Sequence, residues 1–373
     1  MKILILINGW VTRIAGGDYH ILSVSKYWRR KHDVEYLLPI SGYEYGKEFL
    51  EDAKVHIYKT PLENIKKTPL LIPFLYLIRC LWLIFWKGKK YDIIVSSSYF
   101  FCDVIPAILF KLRYGGKLVV YAHGPFFIRQ GKFYHKFLTY HNILIFSLLR
   151  FYVDLVFVVY TEMERILTRL GIDKRKIFLT SNGIHLSAIP AQKFRKEYTA
   201  CFIGRLVEGK GVLELPEIWY NVSKWRKNSN LVIVGDGPSK NLLIELIKEK
   251  KLDRSIKLTG NVPDPVKYSY LKKSLLFLFP SHRESWPIPI LEAMALGLPV
   301  IAYDLPEYKE IYGQKIVTVK PFDIQAFSQA VVQILQNKKL YKRYSSFQKW
   351  VRKYDWKKIA DVQVKRLEML LIR

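Results

Sequence analysis

The chain has 373 residues, of which 50% are apolar and 15% aromatic, so we expect a globular protein with two domains, and a disordered chain is excluded. The formal net charge of +28 is spread over both halves, which predicts a field over the whole molecule that attracts nucleic acid or anionic lipid. The cysteines lack the spacing of a metal site or a redox pair, and we expect buried thiols in a reducing cytosol at Cys80, Cys102 and Cys201.

The chain begins with a strand-like segment over residues 2–7, which has neither a long apolar core nor a small-residue cleavage site, so no signal peptide is expected. A loop over residues 8–17 follows, and Gly16 and Gly17 lead from it into a helix. Glycines at such a turn let backbone N–H groups approach a phosphate, and the helix N-terminus adds positive potential. The Gly-x-Gly-x-x-Gly pattern of dinucleotide enzymes is absent here, and a plain turn explains the two glycines equally well.

Residues 69–86 are apolar enough to raise the question of a transmembrane helix. Pro73 and Arg79 lie inside this segment, and an arginine at the centre of a membrane costs about 2.5–3.5 kcal/mol. We therefore expect a helix that covers the N-terminal sheet and leaves part of its Trp and Phe surface for a membrane interface, next to Lys87, Lys89 and Lys90. A fully buried core helix is an equally good interpretation.

Residues 104–153 contain no acidic side chain, and their lysines and arginines are interspersed with many aromatic and long aliphatic residues. Basic and aromatic residues together are typical of a surface that binds single-stranded nucleic acid or a membrane, and the aliphatic residues favour the membrane. A solvated face with a basic bias is the remaining interpretation. A strand is predicted over residues 118–121, and His123 follows it at its C-terminal end.

The second half of the chain begins after a mixed-charge stretch over residues 188–198, which we interpret as a linker. Arg205 and Lys210 lie between a strand over residues 200–203 and the helix that residues 208–211 are predicted to open. An arginine offers a planar fork to phosphate oxygens and a lysine offers a mobile charge, and a helix N-terminus already favours phosphate. The flanking glycines favour a phosphate site over two ordinary surface cations.

Two further strands, over residues 231–234 and 256–259, each end in a loop that contains glycine and proline. The first loop contains Gly235 and Gly237, and the second contains Val262. Loops of this kind at the C-terminal ends of parallel strands form the ligand-binding edge of an α/β sheet.

Two carboxylates, Glu284 and Glu292, stand eight positions apart. Glu284 follows an apolar strand predicted over residues 275–279, and Glu292 lies in a helix predicted over residues 291–296. A strand over residues 300–302 completes a parallel βαβ unit, so both carboxylates belong to the ligand-binding edge of the sheet. A carboxylate repels phosphate, so we expect these two to bind the hydroxyl groups of a sugar or a ribose.

The pair of glutamates followed by Ala-Met-Ala-Leu-Gly-Leu-Pro-Val-Ile-Ala, up to residue 302, resembles the retaining nucleotide-sugar glycosyltransferases of family four. The resemblance implies the GT-B fold, an α/β architecture of two Rossmann-like domains whose parallel sheets face each other across a cleft, with a C-terminal helix that crosses back to the first domain. An ordinary surface loop and helix of an α/β protein is the alternative explanation.

The resemblance also assigns roles to single residues. The run over residues 204–211 matches the family's Gly-Arg-x4-Lys-Gly, in which the arginine and the lysine hold the donor diphosphate, so Arg205 and Lys210 receive that role. Glu292 is expected to bind the ribose, and Glu284 and His123 the donor sugar. The expected catalytic residues are His123, Glu284, Arg205 and Lys210.

Other loops receive binding roles from the same resemblance. The family's N-terminal loop touches the donor diphosphate or the acceptor, which gives Gly16 and Gly17 that role. The loops after the strands of the second domain wrap the nucleotide, which gives a nucleotide-binding role to Gly235, Gly237 and Val262.

One run departs from the family's pattern. After the first glutamate the family usually has Gly-Phe-Gly, whose backbone N–H groups contact the sugar, and this chain has Ser285, Trp286, Pro287 and Ile288. Pro287 has no N–H to donate. We expect the run still to line the sugar site, with Trp286 shaping it, and the departure bears on the identity of the donor more than on the fold.

The resemblance implies transfer of a hexosyl group from a UDP- or GDP-sugar to an acceptor hydroxyl, with retention of configuration. Enzymes that use a metal for this step commonly carry Asp-x-Asp, which the chain lacks, so neither a metal nor a cofactor is expected. Arg205, Lys210 and helix N-termini would stabilise the leaving diphosphate instead.

We predict an N-terminal domain over residues 1–187, a linker over 188–198, a donor-side domain over 199–354 and a C-terminal helix over 355–373 that packs on the first domain. The basic and apolar surface of the first domain predicts a lipid-linked glycan or glycolipid as acceptor. It also predicts a cytoplasmic protein that associates peripherally with an anionic surface at the inner face of the cell membrane, without nucleic acid as a partner.

Two other classes of protein remain open. A nucleic-acid-binding protein accounts for the net charge and predicts steeply salt-dependent binding, but it leaves Glu284 and Glu292 unexplained. A different GT-B enzyme, such as an epimerase or a phosphorylase, is the second class. An epimerase would bind a UDP-sugar without needing an acceptor, and no motif marks the cofactor lysine of a phosphorylase.

Overall fold

Strands and helices alternate along the chain in a computed structural model that describes residues 1–9, 16–61, 63, 72–123, 133–192 and 194–372. The first part contains β1 (Lys2–Leu6), α1 (Gly16–Trp28), β2 (Asp33–Pro39), α2 (Ile40–Leu50), β3 (Lys54–Tyr58), α3 (Ile72–Ile84), β4 (Ile93–Ser96), α4 (Phe101–Tyr114), β5 (Lys117–Ala122), α5 (Phe133–Tyr152), β6 (Leu155–Val158), α6 (Thr161–Arg169) and β7 (Ile177–Leu179).

The second part contains β8 (Tyr198–Ile203), α7 (Leu215–Trp225), β9 (Leu231–Val234), α8 (Lys240–Glu249), β10 (Ile256–Leu258), α9 (Asp264–Lys273), β11 (Ser274–Phe279), α10 (Ile288–Ala295), β12 (Val300–Tyr303), α11 (Pro306–Ile311), β13 (Val317–Val319), α12 (Ile324–Gln336), α13 (Lys338–Ser345), α14 (Gln348–Val351) and α15 (Trp356–Ile372).

The strands form two sheets, one in each of two compact units. Unit 1 comprises Met1–Asn182 and Trp356–Arg373, and unit 2 comprises Gly183–Asp355. The sheet of unit 1 has seven strands in the order β3-β2-β1-β4-β5-β6-β7, and that of unit 2 has six in the order β10-β9-β8-β11-β12-β13. The pairings between these strands are parallel. Two parallel-sheet α/β domains confirm the predicted fold class.

Continuous apolar runs explain why the strands are central. Ile3–Leu6 in β1 and Leu231–Val234 in β9 are buried along their length, as expected for parallel strands that carry helices on both faces. The strand order reverses between β1 and β4 in unit 1 and between β8 and β11 in unit 2. In open α/β sheets ligands bind beyond the carboxyl ends of the strands at such a reversal, so the loops after β8 and β11 are the first place to look for a site.

The division between the units falls five residues before the predicted end of the first domain. Ile184 donates its backbone N–H to the Tyr354 carbonyl (2.9 Å) and is buried in the core of unit 2. The predicted linker over residues 188–198 therefore belongs to unit 2, whereas α15, at the far end of the sequence, belongs to unit 1.

Two predicted helix starts are wrong. Residues 208–210 form a 3-10 turn that ends at Gly211 in a left-handed conformation, and the helix α7 begins only at Leu215. Helix α10 begins at Ile288, three residues before the prediction, with Pro289 in its first turn. A proline is tolerated there because the N–H that it lacks would have no partner inside the helix anyway.

Helix α3 has one buried and one exposed face, so the interpretation as a fully buried core helix is wrong for the described residues 74–84. Leu75, Arg79 and Leu83 are buried, while Trp82 and other apolar residues are exposed. Arg79 is fully buried and forms two hydrogen bonds with Glu63, from Nε (3.1 Å) and Nη2 (2.7 Å). Among the helices that the structure describes, none is long and apolar enough to span a membrane. Residues 69–71 of the predicted segment lie outside the described residues.

Candidate functional site

The loops that follow β8 and β11 lie directly against each other. The backbone N–H of His282 and the hydroxyl of Ser281 both donate to the carbonyl of Gly209, at 3.1 Å each. Gly211 has φ +66°, and a Cβ atom there would lie 1.8 Å from the carbonyl oxygen of Pro280. The contact between the two loops therefore requires a glycine at this position.

The contact between these loops brings Lys210 and Glu284 together. Lys210 Nζ forms a salt bridge with Glu284 Oε1, and Ser281 Oγ lies 2.8 Å from the same oxygen. Lys210 Nζ also lies 5.6 Å from the centre of the Phe279 ring. The sequence predicted separate ligands for these two residues, a phosphate for Lys210 and sugar hydroxyls for Glu284, and the structure makes each the partner of the other.

Arg205 lies in the same loop as Lys210, two residues beyond β8, and is exposed. Lys210 belongs to the 3-10 turn at residues 208–210, so the prediction that it sits at the N-terminus of a helix is wrong. The loop after β8 brings both cations to the reversal of strand order.

Two predicted nucleotide-binding glycines allow close backbone approach beside this loop. Gly235 has φ +138°, and a Cβ atom there would lie 1.9 Å from the Gly204 carbonyl oxygen. A Cβ atom at Gly237 would lie 2.3 Å from the Leu206 carbonyl oxygen. The Leu206 N–H donates to the Asp236 carbonyl (3.0 Å), so the loops after β8 and β9 are joined backbone to backbone. Larger residues would separate these loops.

Glu292 is buried on α10 and faces α9. Lys267 Nζ lies 2.8 Å from its Oε1, and the Tyr268 hydroxyl donates to the same oxygen (3.0 Å). Lys267 also pairs with Asp264 Oδ1 at 2.8 Å. Burial opposes the charge on Lys267, but the carboxylates of Glu292 and Asp264 outweigh it and raise the pKa of Lys267. Val262, a predicted nucleotide-binding residue, is partly buried two residues before α9.

The sequence offered no signal for Lys267. It stands 25 positions before Glu292, outside any motif, and only the packing of α9 on the rest of unit 2 brings the two together.

The run after Glu284 is held by the aromatic residues of unit 2. The Tyr312 hydroxyl donates to the Pro287 carbonyl (3.1 Å), and the Trp286 ring lies 5.6 Å from that of Tyr354 in an edge-on arrangement. The indole N–H of Trp286 is buried and has no hydrogen-bond partner among the described residues. Ser285 is half-buried ahead of this contact, and Ile288 is the first residue of α10.

Unit 1 brings Gly17, His20 and His123 together, near the start of α1 and the end of β5. Gly16 is the first residue of α1, and a Cβ atom at Gly17 would lie 3.1 Å from Cδ2 of His123. The His123 ring lies 4.5 Å from that of His20, and neither of its nitrogens has a partner within the described ranges. Burial, and then the neighbouring His20, lower the pKa of His123 well below its usual value, so His123 is neutral at pH 7.

His20 is fixed by a hydrogen-bond network that sequence reasoning missed. Its Nδ1–H donates to Asn182 Oδ1 (2.7 Å), and the Gln363 amide of α15 donates to its Nε2 (2.9 Å). Burial lowers the pKa of His20 to about 4, although both hydrogen bonds oppose this shift. The network holds one neutral tautomer beside His123, and no pattern in the sequence links positions so far apart.

No group of three or more His, Cys, Asp or Glu side chains is placed to hold a metal ion in the part of the chain that the structure describes. The residues of the N-terminal loop over 10–15, and Gly124 and Pro125 after His123, lie outside that part.

Comparisons with known proteins match both units. A family model described as Glycosyltransferase Family 4 matches residues 14–188, and one described as Glycosyl transferases group 1 matches residues 188–349. An uncharacterized glycosyltransferase of Methanocaldococcus jannaschii is 22% identical and aligns over 100% of this chain and 99% of its own. A phosphatidyl-myo-inositol mannosyltransferase of Mycobacterium leprae is 29% identical over 48% of this chain and 50% of its own.

Solved structures share the fold. The crystal structure of HepE from Anabaena, in complex with UDP and glucose, has a TM-score of 0.77 at 16% identity and covers 99% of both chains. The two family matches adjoin and together span residues 14–349. We therefore assign the chain to the glycosyltransferases with the GT-B fold.

Proposed function

We propose that the protein transfers a hexosyl group from a nucleoside-diphosphate sugar to an acceptor hydroxyl, with retention of configuration and without a metal ion or other cofactor. The observation that carries this proposal is the meeting of Lys210 and Glu284 at the reversal of strand order in unit 2. A cation for phosphate and a carboxylate for hydroxyls are the two groups that a nucleotide sugar requires, and open α/β sheets bind ligands at this point.

The donor diphosphate takes Lys210 and Arg205 as its cations in this proposal. Because Lys210 is paired with Glu284 in the free protein, an incoming diphosphate competes for Lys210 and leaves the Glu284 carboxylate to accept hydrogen bonds from the sugar. The same two cations stabilise the charge that develops on the leaving diphosphate. Trp286 and the neighbouring run up to Ile288 line the sugar, with Pro287 replacing a possible backbone donor.

The nucleoside binds to the other loops of unit 2. Glu292 accepts hydrogen bonds from the ribose hydroxyls, and the backbone around Gly235, Gly237 and Val262 meets the phosphates and the base. The HepE structure holds UDP and glucose on the same fold, which makes UDP the first donor nucleotide to test, followed by GDP.

In unit 1 the neutral His123 binds a hydroxyl of the donor sugar, and the helix that starts at Gly16 and Gly17 approaches the donor diphosphate or the acceptor. During transfer the bond between the anomeric carbon and the diphosphate oxygen breaks, and a bond from that carbon to the acceptor oxygen forms on the same face. The acceptor proton passes to the departing diphosphate. A neutral His123 suits the binding of a sugar hydroxyl, because it donates a hydrogen bond without holding the diphosphate as a counter-ion.

The acceptor is a lipid-linked glycan or a glycolipid, and the protein reaches it from the cytoplasmic face of a membrane. The support is an apolar surface on unit 1, which we define as nine exposed side chains on or beside α3 and α5: Phe74, Leu77, Leu81, Trp82, Phe85, Tyr140, Ile143, Leu144 and Phe151. Helix α4 contacts both of these helices. Apolar side chains exposed in such number on neighbouring helices mark an interaction site.

Exposed cations follow α3 and lie near the end of α5, and they indicate what the apolar surface binds. Lys87 and Lys90 are exposed just after α3, and Arg150 is exposed near the end of α5, with its guanidinium 4.4 Å from the centre of the Phe151 ring. Apolar side chains with lysine and arginine beside them fit an anionic lipid surface, in which the aromatic rings enter the interface and the cations meet the headgroups.

The donor site is tested by thermal shift with UDP, GDP, ADP and dTDP at low and moderate salt. We expect one nucleotide to raise the melting temperature of the unchanged protein, and Lys210→Ala and Glu292→Ala each to abolish the shift. Equal effects of all four nucleotides that disappear with salt would instead indicate a general basic surface, and the glycosyltransfer proposal would lose its donor. Transfer of label from the matching nucleotide sugar to a lipid-linked acceptor then tests the reaction.

The membrane surface is tested by vesicle flotation with neutral and anionic lipids. The double variant Trp82→Ser with Phe85→Ser should lose binding to anionic vesicles, and raised salt should weaken binding of the unchanged protein. Trp225→Ser is the matched control, because Trp225 is an exposed tryptophan of unit 2 far along the chain. Equal losses in both variants, or no binding at low salt, would contradict the proposed surface.

A further inference from the structure

Glu292 needs a balancing charge nearby if it is to bind ribose as a carboxylate, because its side chain is only 5% exposed. A buried carboxylate without a partner loses its hydration and takes up a proton, and a protonated carboxyl cannot accept hydrogen bonds from two ribose hydroxyls. Helix α10 carries no basic residue in its last turn that could act as a partner. The charge that balances Glu292 comes from α9, through Lys267.

The ammonium group of Lys267 contacts two carboxylates. It lies 2.8 Å from Glu292 Oε1 on one side and 2.8 Å from Asp264 Oδ1 on the other, and its own side chain is 15% exposed. Asp264 and Lys267 are three positions apart in the first turn of α9, so the helix itself sets the direction of the ammonium group. A lysine fixed in this way is a rigid support for a carboxylate, since its usual rotamer freedom is already restricted.

The contacts of Glu292 are confined to one oxygen. Lys267 Nζ and the Tyr268 hydroxyl, at 2.8 and 3.0 Å, both bind Oε1, and no hydrogen bond to Oε2 is found among the residues that the structure describes. An ionised carboxylate has about four acceptor sites, two on each oxygen. The two helices therefore use up one oxygen and leave the other available.

We propose that Lys267 is a positioning residue of the donor site, which together with Tyr268 holds Oε1 of Glu292 and thereby presents Oε2 to the ribose hydroxyls of the nucleotide. This inference rests on the proposed function, because it requires that Glu292 bind ribose. Lys267 does not itself touch the reacting atoms. Its effect is on the affinity for ribonucleotides and on the preference for ribose over deoxyribose.

The test compares the affinities of UDP, GDP and ADP with those of their 2′-deoxy analogues, by titration calorimetry on the full chain. For the nucleotide that binds, we expect the unchanged protein to prefer the ribose form. Lys267→Met should weaken the binding of the ribonucleotide about tenfold or more and remove the preference for ribose over deoxyribose. The reason is that the ribose then loses its hydrogen bond to the charged Glu292. Lys267→Arg should restore much of the affinity for the ribonucleotide and much of the preference for ribose.

Lys273→Met is the matched control, because Lys273 lies on the same helix and pairs with a different carboxylate, that of Glu197, at 3.1 Å. It should keep both the affinity and the preference for ribose. If Lys267→Met does not fold, Tyr268→Phe removes the second donor to the same oxygen and should reduce the preference for ribose on its own.

The outcomes separate this inference from the proposed function. If the unchanged protein binds no nucleotide, both are overturned. If Glu292→Gln loses the preference for ribose while Lys267→Met and Tyr268→Phe keep it, the proposed function stands and the positioning role is overturned. A fall in melting temperature with an unchanged preference in Lys267→Met would equally overturn it, because a purely structural lysine gives that result.

Discussion

At the scale of single residues, the donor site is a set of charges that have partners before any ligand arrives. Lys210 pairs with Glu284, and Lys267 pairs with Glu292. Each carboxylate that the sequence predicted for hydroxyls thus has a lysine as its partner. The two pairs differ in their consequence, because Lys210 is itself expected to bind the ligand whereas Lys267 is expected to remain with its carboxylate.

The first prediction concerns the exchange of partners at Lys210. Glu284→Gln removes the charge that competes for Lys210, so we expect the variant to bind free UDP, or whichever diphosphate the unchanged protein binds, several-fold more tightly, and to lose sugar transfer. Calorimetry with the free diphosphate measures the first effect and a transfer assay the second.

The control for this variant is Glu307→Gln. Burial and the nearby acids Glu310 and Glu284 raise the pKa of Glu307, so it shares the environment of Glu284 without contacting Lys210. If both variants strengthen binding equally, the gain comes from the general loss of negative charge. Weaker diphosphate binding by Glu284→Gln would contradict the competition itself.

At the scale of elements, the site is made by strand ends whose loops touch. The sequence predicted β1 and β5 of the first sheet and β8 to β12 of the second, because parallel strands have short apolar runs with glycine or proline after them. It also predicted the motif positions Arg205, Lys210, Glu284 and Glu292. It did not predict that Lys210 lies in a 3-10 turn or that it pairs with Glu284, which stands 74 positions away, since these depend on how two loops pack together.

The second prediction tests that loop contact. Gly211→Ala introduces a Cβ atom that would lie 1.8 Å from the Pro280 carbonyl oxygen, at a φ of +66°. We expect a loss of about 2 kcal/mol or more in the free energy of unfolding of unit 2, measured by denaturant titration. Because the loops would separate, nucleotide binding should fall even under conditions where the variant is folded.

Gly209→Ala is the neighbouring control, because a Cβ atom there meets nothing within 4 Å. Its stability and nucleotide binding should stay near those of the unchanged protein. If the two substitutions reduce stability and nucleotide binding equally, the losses come from the backbone propensity of alanine. The close contact between the two loops would then not be their cause.

At the scale of the whole molecule, unit 1 contains helices that are far apart in the sequence, α1 and α15, and hydrogen bonds join them. The Trp28 indole of α1 donates to the Ala360 carbonyl of α15 (3.2 Å), and Gln363 of α15 binds His20 of α1 (2.9 Å). The stability of unit 1 therefore depends on a buried neutral histidine, which ties the contact between the two helices to pH.

The third prediction is the sign of that dependence. Burial lowers the pKa of His20 from 6.5 to about 4, so below pH 6.5 the unfolded chain binds a proton that the folded chain does not. Stability should therefore fall as the pH is lowered from 6.5 towards 4, by about 2 kcal/mol from His20 alone between pH 7.5 and pH 5. Hydrogen exchange of the amides of β1 and β5 reports the stability of unit 1.

The stability of unit 1 in His20→Gln should fall less between pH 7.5 and pH 5 than it does in the unchanged protein, whatever its value at pH 7.5. The exposed imidazole of His56 offers a control, and His56→Gln should keep most of the slope. An unchanged slope in His20→Gln would mean that other groups carry the acid sensitivity.

The place of α15 in unit 1 also has a consequence for biosynthesis. Residues 356–372 are translated after all of unit 2, yet they supply the partners of Trp28 and His20 in unit 1. Unit 2 can fold as soon as its own residues have left the ribosome, whereas the growing chain must carry unit 1 with the α15-binding side of α1 uncovered. Unit 1, whose other residues precede unit 2 in the chain, is thus completed only after unit 2 has been made.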